Sequence, residues 1–132
     1  MSLPLGPVNP PSLAPPRGFS HGMRGAGTIL FVAGQVGWDG AGRLVSTDFV
    51  PQFAQALDNV LAVVREAGGE PACLGRLTIY VVDKRQYLSR LREVGAVYRE
   101  RMGRHFPAMA LVEVRSLLED GALVEIEATA VL

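Results

Sequence analysis

Three carboxylates near the C-terminal end, Glu113, Glu125 and Glu127, sit among aliphatic residues and not among other charges. A carboxyl group in apolar company is one that can position a water molecule and take its proton. From residue 122 to 132, Val124, Ile126, Ala128 and Ala130 alternate with Leu123, Glu125, Glu127, Thr129 and Val131. That period of two describes a strand with two unlike faces, so Glu125 and Glu127 point the same way. Upstream, Ala110, Val112 and Val114 would face one side of a second strand, and Met109, Leu111 and Glu113 the other. With a break at residues 115–121, the two strands are expected to pair as a hairpin that sets the acids among large apolar side chains.

Other chemistry finds less support. A single cysteine, Cys73, excludes an intrachain disulfide and a multi-cysteine metal site, and no histidine stands near it to activate it as a nucleophile. His21 and His105 are isolated, His105 is expected at the surface, and no metal site is expected. The formal net charge is zero. Lys84, Arg85, Arg90, Arg92, Arg99, Arg101 and Arg104 scatter around a helix and are diluted by Glu93 and Glu100, which describes a solvated face. No nucleic-acid partner is therefore expected. The apolar run at residues 29–34 is far short of the ~20 residues that cross a bilayer, so no membrane partner is expected either. One cysteine, and a start without a basic segment and long apolar run, suggest a cytoplasmic protein.

The elements that must position the acids follow from composition and period. At 132 residues and 48% hydrophobic, the chain suits one domain, residues 18–132, behind a Pro-rich extended arm at residues 1–17. Residues 19–23 and 28–36 read as a hairpin around a Gly-rich turn, with Gly34 marking a bulge or a close backbone approach. Phe53, Leu57, Val60, Leu61 and Val64 form one stripe of a helix that Asp48 can cap and Gly68-Gly69 ends. Residues 77–82 are a strand. Asp83 can cap a second helix, with a stripe of Leu88, Leu91, Tyr98 and Met102, which runs to Gly103. The order β-β-α-β-α-β-β gives an α+β fold, a mixed sheet with two helices on one face. Met109, Leu111, Leu123 and Val131 are expected on the open face as an oligomer interface, with Glu125 near its boundary.

Four motifs in this order carry a family resemblance. The run Phe31-Val32-Ala33-Gly34-Gln35-Val36, the segment Gln55-Ala56-Leu57-Asp58-Asn59-Val60 with Glu66-Ala67-Gly68, the stretch from Phe106-Pro107-Ala108 to Val112-Glu113-Val114, and Val124-Glu125-Ile126-Glu127-Ala128 resemble the RidA/YjgF family of reactive-intermediate deaminases. The resemblance implies a homotrimer with a chorismate-mutase-like fold whose inter-subunit clefts bind small carboxylic acids. It also implies hydrolysis of an enamine or imine to a 2-keto acid and ammonia without a cofactor. Glu125 aligns with the family's water-activating glutamate. The substrate-binding positions are Phe19, Ala33, Met109 and Leu111, where the archetype carries tyrosine, serine, arginine and cysteine. Replacing a bidentate arginine by Met109 removes roughly 2 to 5 kcal/mol of carboxylate binding. An arginine from elsewhere, such as Arg17, Arg24 or Arg115 of an adjacent subunit, could restore it. Two functional classes stay open, a hydrolase of enamine- or imine-type intermediates and a non-catalytic trimer that binds a small molecule or a partner protein. Ribonuclease activity, ascribed to some relatives, is a third class that the scattered basic residues weigh against.

Overall fold

The computed structural model describes residues 5–132, so Pro4 at the start of the arm lies outside the described residues. Its elements are β1 (Leu5–Val8), β2 (Gly22–Gly25), β3 (Ile29–Val36), α1 (Phe49–Glu66), a 3-10 turn (Pro71–Cys73), β4 (Leu74–Val81), α2 (Lys84–Leu88), α3 (Leu91–Met102), β5 (Ala108–Glu113) and β6 (Val124–Val131). The main sheet has the order β3-β6-β4-β5, with β6 antiparallel to both neighbours and β5 parallel to β4. The expected α+β architecture, a mixed sheet with helices packed on one face, is what forms. Among the described residues no helix is long and apolar enough to cross a membrane.

Neither expected hairpin forms. The ten residues 114–123 between β5 and β6 are too many for a tight turn and carry the chain across β4, so β6 enters between β3 and β4. At the other end β2 pairs with β1, from Leu5↔Gly25 to Val8↔Gly22, and leaves β3 to β6. Gly27 makes the separation: its backbone comes so close to the Leu132 carbonyl that any side chain would collide. Thr28 and Leu132 then exchange backbone hydrogen bonds of 3.0 and 2.8 Å. The segment after the Pro-rich stretch also docks on β5, since Ser20 bridges Ala108 and its hydroxyl donates to the Phe106 carbonyl at 2.6 Å.

The first helix follows its pattern, with Phe53, Leu57, Val60, Leu61 and Val64 all buried. Asp48 occupies the cap position without a side-chain cap bond, and Gly68 turns the chain at φ 88°. The expected second helix is two. Asp83 caps α2 by accepting from the Arg85 amide at 3.0 Å, but the helix breaks at Ser89-Arg90 and α3 restarts in a new phase. Leu88 and Leu91 are consequently exposed, and the buried stripe of α3 is Val94, Tyr98 and Met102.

Strand register decides which face each side chain takes. Met109 pairs with Leu77 and Leu111 with Ile79, both buried under the helices, so Met109, Leu111 and the adjoining Leu123 pack against the core. Val131 keeps to the open face by alternation but is itself buried. The expected open-face patch is thereby overturned, since its other three residues pack on the helix side. Tyr80↔Glu125, Thr78↔Glu127 and Thr129↔Phe31 occupy the open face instead, and Phe31 there is 79% exposed.

One buried amide fastens the layers together. Gln52 on α1, fully buried, donates to the Ser46 carbonyl at 2.8 Å and the Gly121 carbonyl at 3.0 Å, and accepts from the Leu123 amide at 2.8 Å. It thus joins the loop that enters α1 to the loop that delivers β6. Gln52→Leu leaves these backbone groups unpaired in the interior and should cost about 2 to 4 kcal/mol. Urea unfolding checks this, and a loss under about 1 kcal/mol would show that the loops find other partners.

Candidate functional site

Two neighbourhoods lie on opposite faces of the sheet. On the open face, the β3–β6 ladder shifts register between Val32 and Gln35, which leaves Ala33 and Gly34 as a bulge. The Glu125 side chain lies over that bulge. A Cβ at Gly34 would stand 2.9 Å from both Cδ and Oε2 of Glu125, so the close approach that a glycine in this strand suggests is to the acid itself. Ala33, exposed, flanks the same spot.

Glu125 and Glu127 differ in their partners. The Tyr80 hydroxyl donates to Glu127 Oε1 at 2.6 Å. That hydrogen bond, with partial desolvation and the charges of Glu127 and Glu125, raises the Tyr80 phenol above its ordinary pKa. Among the described residues no side chain hydrogen-bonds the Glu125 carboxylate, which leaves it available to water. Glu113 serves structure, accepting from the Lys84 amide at 3.0 Å at the start of α2.

On the helix side a cavity of about 310 Å³ opens between α2, α3 and the strands. Ile79 and Met109 form its sheet wall, Tyr87, Leu91, Val94, Gly95 and Tyr98 its wall from α2 and α3, and Phe53 of α1, Gly18, Arg99 and Phe106 complete the lining. Tyr98 stacks on Phe106 at 5.6 Å between ring centroids and donates to the His105 carbonyl at 2.6 Å. Burial pushes its phenol well above the ordinary range. Phe19, next to Gly18, is half-buried and packs edge-on against His21 at 5.2 Å.

The structure therefore brings Met109 together with the Phe19 segment, sets Leu111 farther along the same face of β5, and joins Ala33 to Glu125. Within one chain it does not bring Glu125 to Met109. His105, expected at the surface, is half-buried with Nε2 2.6 Å from the Leu74 carbonyl. Cys73 is buried, and among the described residues no group of three His, Cys, Asp or Glu side chains could hold a metal. Sequence reasoning missed Tyr80, whose pairing needs the register of β4 on β6. It also missed Gly95 and Arg99, because Arg99 was one basic residue among many.

Comparison with known proteins supplies the context. A family profile described as Endoribonuclease L-PSP matches residues 10–132. A RutC family protein of Pyrococcus horikoshii is 36% identical over 106 residues, 80% of either chain. The 2-iminobutanoate/2-iminopropanoate deaminase of Salmonella typhimurium is 33% identical over 108 residues, again 80% of each. The crystal structure of YyfB from Yersinia pestis, a protein of the Rid family, superposes with a TM-score of 0.87 at 35% identity and covers 98% of this chain and 99% of that one.

The phenol of Tyr80 provides a direct check on the acidic face. Its folded pKa is raised, so its interaction with Glu127 contributes stability while the phenol is protonated, and that contribution is lost as pH climbs past the unfolded tyrosine value near ~10. Tyrosinate absorbance should show Tyr80 and Tyr98 ionising late, and Tyr80→Phe should remove one of the late steps. An unchanged titration curve in that variant would refute the pairing.

Proposed function

The chain belongs to the Endoribonuclease L-PSP family, the RidA/YjgF group, and on that premise we propose that it hydrolyses enamine- or imine-type intermediates to a carbonyl product and ammonia. The observation that carries the proposal is the Glu125 carboxylate, set over Gly34 and, among the described residues, left without a hydrogen-bonding side chain while Glu127 is taken by Tyr80. Glu125 holds a water and accepts its proton as the oxygen bonds to the C=N carbon. The C=N electron pair passes to the nitrogen, which takes a proton from solvent to give a carbinolamine. Glu125 then returns its proton to the nitrogen as the carbon–nitrogen bond breaks, and the carbinolamine hydroxyl gives its proton back to solvent, so ammonia leaves, the carbonyl forms and the carboxylate is regenerated. The balance is redox-neutral and calls on no cofactor.

The site needs two copies of the chain. Glu125 and the Met109–Leu111 side of β5 occupy opposite faces, so the acid of one protomer serves the cavity of the next. Phe31 and Val112, 79% and 42% exposed on the open face, are the apolar surface that such a neighbour would cover. Since β5 ends the sheet, part of its backbone is unclaimed by strand pairing, and amides near Leu111 can polarise the substrate. The inferred assembly is a homotrimer, as the family resemblance implies, and its ligand a small molecule. A relative named for 2-iminobutanoate and 2-iminopropanoate supports a 2-imino carboxylic acid as the substrate class.

Met109 favours one alternative, a non-catalytic trimer whose cleft binds an apolar small molecule or a partner protein. A ribonuclease is less well supported, since Arg85 pairs with Asp83, Arg90 with Glu93 and Arg101 with Asp58, which breaks up any basic track.

Coupling the protein to an amino-acid oxidase and timing keto-acid release tests the reaction. Glu125→Gln should slow imine hydrolysis at least ~100-fold with little change in Tm. No acceleration by the wild type over buffer, across several amino acids, would sink the deaminase assignment. Separately, Phe31→Asp should convert the oligomer to folded monomers in sedimentation and abolish turnover. An intact oligomer in that variant would place the interface elsewhere.

A further inference from the structure

We propose that Arg99 supplies the carboxylate anchor of this site from α3, and that the apolar cavity beside it selects 2-imino acids with a branched or aromatic side chain. The inference rests on the deaminase assignment and gives its substrate class.

Arg99 and Met109 line the same cavity, so a cation stands across the space from the methionine that replaces the archetypal arginine. Its orientation is specified one helical turn earlier. A Cβ at Gly95 would lie 3.2 Å from Nη1 of Arg99, which means that the guanidinium folds back along the helix over a bare backbone. Glycine is a poor residue for a helix interior, and α3 has one at the position that leaves room for this guanidinium. Three other cations of this region are held by acids, Arg101 by Asp58 at 2.7 Å, Arg90 by Glu93 and Arg85 by Asp83, while Lys84, Arg92 and Arg104 carry no ion pair among the described residues but do not line this cavity. Among the described residues Arg99 has no such partner, so its planar fork of donors is free for a carboxylate.

The rest of the cavity specifies what the carboxylate is attached to. Phe53, Ile79, Leu91, Val94 and Met109 offer no polar group, and the Tyr98 hydroxyl is already given to the His105 carbonyl, which leaves Tyr87 as the one neutral polar side chain of the lining. At about 310 Å³ the space exceeds what a two- or three-carbon side-chain-poor imino acid fills and suits one derived from leucine or phenylalanine. One charge at the rim and an apolar floor fit an amphiphilic acid and discriminate against its neutral amide.

Calorimetry with the stable probes 3-phenylpropanoate, 3-phenylpropanamide and propanoate tests this in the full-length oligomer. The wild type should bind 3-phenylpropanoate about tenfold or more tightly than the amide and more tightly than propanoate. Arg99→Gln should bring the acid down to the level of the amide. Gly95→Ala should keep or raise Tm, as expected for a helix interior, while it weakens acid binding several-fold by displacing the guanidinium. Arg99→Gln binding the acid like the wild type would overturn the anchor, and an equal affinity for propanoate would overturn the substrate class. In either case Glu125-dependent imine hydrolysis would still stand. A wild type that binds none of the probes overturns the inference outright, whereas loss of the deaminase assignment alone would show as tight binding without turnover.

Discussion

Inserting β6 between β3 and β4 satisfies backbone donors and acceptors on three strands at once and sets the two surfaces of the sheet. Val124, Ile126, Ala128 and Ala130 disappear beneath the helices, and the residues between them must then face the other way. Glu125 and Glu127 are on the open face because their neighbours are in the core. A shift of one residue in the pairing would exchange the two sets and bury both acids under α1. Gln52 and the exchange between Thr28 and Leu132 hold the two ends of β6 against such a slip.

That division sets the two neighbourhoods of the proposed site on opposite faces of one chain. The acid belongs to the central strand, where its position is rigid, and the apolar cavity belongs to the edge strand and the broken helix pair. Rigid placement suits the water-aiming role proposed for Glu125, because small errors in distance are costly to such a reaction. The cavity wall is built differently. It draws on α2, α3 and the Gly18 segment, elements whose exposed and irregular parts can change shape or composition without disturbing the pairing that holds Glu125.

Much of this was legible in the residues. Alternation along residues 122–132, the stripe of α1 and the glycine at position 34 each predicted a local structure that forms, and Gly34 even predicted a close approach. What period cannot convey is the identity of a strand's partner. Residues 106–114 and 122–132 look like a hairpin because they are neighbours in the chain, yet β5 is committed to β4 by the crossover through α2 and α3. The error in partner carried an error in face, which moved Met109 and Leu111 from the expected open surface to the helix side. The break at Ser89-Arg90 was hidden for a similar reason. No proline or glycine marks it, and the leucines on either side continue an apolar pattern that the fold leaves in solvent.

A central strand that comes last in the sheet also imposes an order on biosynthesis. β3 is complete once residue 36 has been made, but its only partner in the main sheet begins at residue 124. Until residue 124 has been made, β3 and one edge of β4 offer unpaired backbone to any strand that passes, and α1 has only part of the surface it is to cover. The sheet therefore closes in one late, long-range step, when residues 124–131 thread between two waiting edges. Chains held short of that step carry the open strand edges at which mispairing would begin.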